Sequence, residues 1–138
     1  MSRAPTAVLA LLALAASAMP SAAAAPLRGT VKRSFTATGV NGRITSTFPP
    51  TASHVYASFI WLNAPTAGQP LEIDWFGPSG QRVAVWKDRT LKTDTAGTRL
   101  YSFIGRKTIS AHPGHWRVAL SVGGVERAAQ TFTVAKRS

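Results

Sequence analysis

The 138-residue chain contains no cysteine, which removes disulfide staples, thiolate metal centres, cysteine nucleophiles and a lipoprotein anchor together. Stability must come from packing. Acidic residues are scarce as well: Glu72, Asp74, Asp88, Asp94 and Glu126 stand against sixteen Lys and Arg. A glycosidase needs two carboxylates facing each other across its substrate, and the only close pair here, Glu72 and Asp74, lies two apart on one strand face. Both therefore point the same way. Neither a G-x-S-x-G elbow nor another recognisable nucleophile context accompanies the histidines, so the sequence speaks against an enzyme. Helical periodicity and internal repeats are missing too, and the only long apolar stretch is at the N-terminus.

That stretch has a definite pattern. A basic start at Arg3 is followed by apolar residues 7–19, the helix-breaker Pro20, and small residues from 21 to 25. It reads as a cleaved secretory signal peptide, being shorter than the roughly 20 residues that span a bilayer. Cleavage after Ala23 or Ala24 is expected, because a cut after Ala25 would place Pro26 directly behind the scissile bond. The expected organisation is a signal peptide over residues 1–24 and one domain over residues 25–138. The mature chain would carry no transmembrane segment and would be periplasmic or secreted.

Along the domain, β signals recur at regular spacing. The clearest is the C-terminal hairpin, where Trp116, Val118, Leu120 and Val122 alternate with His115, Arg117, Ala119 and Ser121 as one half-buried strand. Gly123-Gly124 supplies the positive φ angles of a two-residue loop, and Phe132-Thr133-Val134 closes the return strand. Earlier strands are expected at residues 30–38, 43–48, 54–62, 71–76, 81–86 and 100–104. Residues 87–97 read as a loop or short edge strand, and residues 105–113 as a connection. The segment 54–62 is apolar on both faces, which requires a central or doubly covered strand. About seven short strands with turn signals every eight to twelve residues predict an all-β, antiparallel β-sandwich. Trp61, Trp75 and Trp116 fall on inward positions of three strands, whereas Trp86, beside Lys87 and Arg89, is expected to be partly exposed.

The run Pro113-Gly114-x-Trp116-Arg117-Val118, then Gly123-Gly124 and Phe132-Thr133-Val134, resembles the closing strands of immunoglobulin-like or fibronectin-type-III-like modules of bacterial exported proteins. Trp75-Phe76-Gly77-Pro78-Ser79-Gly80 resembles the tryptophan-containing hairpin found earlier in such domains. The resemblance implies an immunoglobulin-like sandwich of the cysteine-free kind. It implies little about function, because this architecture hosts adhesion, polymer binding, chaperoning and spacing alike.

A formal net charge of +11 makes an anionic partner physically plausible. Eleven of the sixteen basic residues are arginine and they are scattered, a pattern that a solvated face also produces. Nucleic acid is disfavoured by the export signal and by the lack of a basic cluster interleaved with exposed aromatics. Without catalytic residues or a cofactor, the expected function is a non-enzymatic binding or accessory module whose partner is a protein or polysaccharide of the cell envelope. The alternative is a cationic protein that holds anionic polysaccharide or lipid electrostatically. The candidate contact residues are Trp86, Lys87, Arg89 and Tyr101, placed on the outward side of the central hairpin. The edge at residues 30–35 is a further place where a partner chain could add a strand. No metal site is expected, although His112, His115 and His54 are the residues one would be built from.

Overall fold

The computed structural model describes residues 28–137, and the expected leader lies outside the described residues. Eight strands and one short helix follow in the order β1 (Val31–Ala37), β2 (Thr47–Phe48), β3 (His54–Trp61), β4 (Pro70–Phe76), β5 (Arg82–Arg89), β6 (Arg99–Gly105), α1 (Arg106–Ala111), β7 (Gly114–Val122) and β8 (Val125–Val134). They form two sheets, a three-stranded one ordered β1-β3-β6 and a five-stranded one ordered β2-β8-β7-β4-β5. The expected sandwich is the fold.

Alternation of side chains across each strand explains how the sheets meet. Val55, Ala57, Phe59 and Trp61 on β3 are all buried, and so are Leu71, Ile73 and Trp75 on β4 and Trp116, Val118, Leu120 and Val122 on β7. Each large apolar side chain withdrawn from water in this way contributes about 1.5–3 kcal/mol. Trp61, Trp75 and Trp116 are each only 1% exposed. In the five-stranded sheet, Phe132 stacks on Trp116 with ring centroids 5.6 Å apart and meets Trp75 edge-on at 5.9 Å. The β7–β8 hairpin turns at Gly123 and Gly124 with φ of 59° and 82°, the two positive angles that the sequence required.

Four features depart from the sequence reading. The expected strand at residues 43–48 shrinks to Thr47–Phe48, because the residues before it fold back on β1. Thr45 N–H donates to Thr36 C=O at 3.0 Å and Ala37 bridges Ile44. The chain then crosses to the other sheet, where β2 pairs parallel with β8, so the sandwich has eight strands and is not wholly antiparallel. Third, β5 continues as an edge strand through Arg89 in register with Pro70, so the segment read as a loop or short edge strand is divided between the two. Fourth, the 105–113 connection contains α1, which buries Ile109. A six-residue helix is under two turns, too short to display a period.

β3 is the central strand of its sheet, as its two apolar faces required. Its outer face is only partly covered, which leads to the site.

Candidate functional site

The two sheets differ in width, and this sets the geometry. On one side of the sandwich β1 lies against β8, with Ser34 Oγ donating to Gln130 Oε1 at 3.2 Å. On the other side β5 and β6 end their sheets without further strands. Between them opens a cavity of about 570 Å³, floored by Trp75, Leu100 and Ser102 and walled by Trp86 on β5 and Tyr101 and Phe103 on β6. The floor is fixed from below, because Trp75 Nε1 donates to Ser102 Oγ at 3.2 Å.

Register places the walls. Trp86 pairs with the buried Ile73 and Ala84 with Trp75, so both face inward, at the rim where the opposite sheet has run out. Tyr101 pairs with Ser58 and Phe103 with Tyr56. They stand on the outer face of the three-stranded sheet, 45% and 50% exposed. There the aromatic rings pack against one another: Phe103 stacks on Tyr56 at 4.9 Å, Tyr101 lies 6.0 Å from Tyr56, and His54 meets Phe103 edge-on at 5.3 Å. An aromatic surface therefore wraps from the cleft around the β6 edge.

Two charged groups border the cavity, Asp88 and Arg99. Asp88 Oδ1 accepts the Arg89 backbone N–H at 2.8 Å. Arg99 Nη1 donates to Val40 C=O at 2.6 Å, while its guanidinium lies 5.4 Å from the centroid of the Phe35 ring. Because β3 separates β6 from β1, the contact with Phe35 carries the Arg99 side chain across the central strand. Arg33 covers the same ring at 4.8 Å, so Phe35 is only 7% exposed although it points away from the core.

Of the four contact residues expected from sequence, the fold brings together Trp86 and Tyr101. Lys87 and Arg89 are carried to the opposite, outer face of the five-stranded sheet by the two-residue alternation of β5. There Lys87 lies 3.8 Å from Glu72, and Arg89 Nη1 donates to Gly68 C=O at 2.9 Å. The expectation that all four share the outward side of the hairpin is thus corrected: Lys87 and Arg89 lie there, Trp86 faces inward, and Tyr101 belongs to the other sheet. Phe103, Tyr56, Leu100 and Arg99 were missed. The signal was available, since residues 100–104 put Tyr101 and Phe103 on one side and Leu100, Ser102 and Ile104 on the other.

The remaining polar groups are engaged elsewhere. Glu72 and Asp74 lie beside each other on the outer face of β4, with Arg82 Nη1 3.8 Å from Glu72 and 3.2 Å from Asp74. The Glu72 carboxyl is raised above its ordinary pKa, first by its hydrogen bond with Asp74, then by burial and by the Asp74 charge, with Lys87 and Arg82 opposing. The three histidines occupy three settings. His54 packs on Phe103, His112 caps α1 with its ring against Trp116, and His115 Nδ1 lies 3.1 Å from Thr133 Oγ1. Among the described residues no group of three or more His, Asp or Glu side chains has a metal-holding arrangement. A second cavity of about 580 Å³ lies at the end of the five-stranded sheet beside Phe76, Pro78, His115 and Arg117. Its cation is already satisfied, because Arg117 pairs with Glu126 and lies 5.9 Å from the centroid of the Phe76 ring. No helix among the described residues is long and apolar enough to cross a membrane.

No protein-family model matches the chain, and no curated protein matches its sequence. Solved structures do match in shape. An immunoglobulin-like protein from Pseudomonas aeruginosa superimposes with a TM-score of 0.50 at 18% identity, covering 80% of this chain and 92% of that one. The sensor domain of an anti-sigma factor from Pseudobacteroides cellulosolvens gives a TM-score of 0.47 at 9% identity, covering 83% of this chain and 100% of that one. An alkylpurine DNA glycosylase from Pseudomonas fluorescens gives 0.48 at 11% identity, over 79% of this chain and 31% of that one. The first of these likenesses carries the fold, which is immunoglobulin-like.

Proposed function

We propose that this immunoglobulin-like sandwich is a non-enzymatic, exported binding module that works through the cleft between β5 and β6, with Trp86 and Tyr101 as its contact residues. The observation that carries the reading is the cleft itself: a cavity of about 570 Å³ with aromatic walls and few polar groups, the make-up of a ligand site. Export to the periplasm or beyond is supported by the leader pattern of residues 1–24. The partner is a protein or polysaccharide of the cell envelope.

Charge favours an acidic one. The formal net charge of +11 attracts an anionic partner over the whole surface. Binding to solubilised envelope material, measured at low and high salt, tests the reading with Trp86→Ala. Loss of binding with an unchanged circular dichroism spectrum is expected, and full binding by that variant would refute the site.

The scatter of the net +11 charge favours a second reading, a diffuse electrostatic association with anionic polysaccharide or lipid. It predicts that substitutions of scattered arginines weaken binding additively and that Trp86→Ala does not.

A further inference from the structure

We infer that the cleft takes an extended, acidic polypeptide segment, added as a fourth strand along the free edge of β6. The inference rests on the cleft being the working site and names the chemistry of its ligand. Its first support is a mismatch in width. The large sheet has five strands and the small one three, so Ala84 and Trp86 on β5 face inward with no strand opposite them. A strand paired to β6 would lie about 4.8 Å beyond it, over these residues. Its inward side chains would fill the cavity, and its outward ones would flank Tyr101 and Phe103 as cross-strand neighbours.

The second support is the edge. All seven residues of β6 pair with β3, from His54↔Gly105 to Ile60↔Arg99, and the backbone groups on the other side are not part of any sheet. Such an edge is a template for a further strand. The other edges are poorer templates. β1 is bulged between Val31 and Arg33, and Thr36 C=O is already bonded by Thr45. β2 has two residues. A strand added to β5 would widen the larger sheet further and leave more inner face uncovered.

The third support separates polypeptide from sugar. Pyranose rings need flat aromatic faces, yet the Tyr56 ring has Phe103 stacked on it at 4.9 Å and Tyr101 inclined toward it at 6.0 Å. Stacking takes up ring faces within this cluster, while Tyr101 and Phe103 stay exposed to passing side chains. Charge then selects among polypeptides. The chain's net charge of +11 favours acidic residues and opposes a second copy in the same place.

A synthetic peptide alternating valine with glutamate, its lysine counterpart, and two N-methylated forms, one methylated on the valine amides and one on the glutamate amides, test the inference. Soluble polygalacturonate serves as an acidic sugar. Binding is read from tryptophan emission and from amide hydrogen exchange along β6. The acidic peptide should bind, protect β6 amides and lose that effect in Trp86→Ala. One methylated form should bind at least about tenfold more weakly while the other is nearly unaffected, since only alternate amides face β6. Equal binding by both methylated forms would leave the cleft reading standing and overturn strand addition. Binding of polygalacturonate alone would overturn it in favour of a sugar ligand. Protection of β6 that grows with protein concentration, without peptide, would reassign the edge to a second copy. No response at Trp86 to any probe would defeat both the strand and the cleft.

Discussion

The indole N–H of Trp75 on β4 donates to the hydroxyl of Ser102 on β6 at 3.2 Å, joining the two sheets beneath the open cleft. Ser102→Ala leaves a buried donor without its acceptor, which costs about 1–3 kcal/mol. Urea unfolding should show a lower midpoint with an unchanged slope. An unchanged midpoint would mean that the bond contributes nothing.

Trp86 is the one tryptophan of four outside the fully buried set. Acrylamide should therefore quench one accessible component of the emission, and that component should vanish in Trp86→Phe while the rest stays shielded. Two accessible components in the wild-type protein would contradict the burial of Trp61, Trp75 or Trp116.

Gly114 opens β7 with φ of 128°, and a Cβ placed there would meet Pro78 at 3.0–3.1 Å. Gly114→Ala combines backbone strain with a contact against the β4–β5 turn, a cost of about 1–3 kcal/mol. Thermal unfolding should fall by several degrees. No change in Tm would show that the turn yields freely.

Titration of Glu72 gives a signed pH dependence. Its pKa is raised in the folded state, chiefly by the Asp74 hydrogen bond, so the folded protein holds this proton more tightly than the unfolded chain. The associated stability is complete below the unfolded pKa and disappears as pH rises through the folded value. Glu72→Gln keeps a group able to donate to Asp74 without the charge. At neutral pH the variant should be at least as stable as the wild type, with the difference shrinking as pH falls through the ordinary glutamate range. Paired Tm measurements across that range check it, and a wild-type advantage that grows toward neutral pH would reverse the assignment.

Leu120, fully buried beside Ile73 in the β4–β7 pair, tests the core. Leu120→Ala should cost about 2–5 kcal/mol, measured by chemical denaturation. A loss below about 1 kcal/mol would imply that the inner face of β7 is loosely packed.

The parts of the molecule legible in its sequence are those governed by local rules. Alternation exposed the inward tryptophans and the apolar stripe of β7, the glycine pair exposed the final hairpin, and the two-faced 54–62 segment declared a central strand. Trp86 and Tyr101 were also legible as aromatics at partly open positions. Lys87 and Arg89 do lie on the outer face, and Trp86 is the residue turned the other way, because along a strand neighbours point to opposite sides.

By itself, then, the sequence determined the class of fold, the core residues and the lack of cysteine chemistry, because each follows from residue type and a period of two. Tertiary structure alone decided that β2 leaves the first sheet to pair with β8, that one sheet is two strands wider, and that β5 and β6 end on the same side. Those facts arise from pairings between residues far apart in the chain, as Tyr101 with Ser58 and Thr47 with Thr133. No local pattern encodes which edge stays open. Width mismatch between the sheets is what turns two ordinary strands into the walls of a cleft.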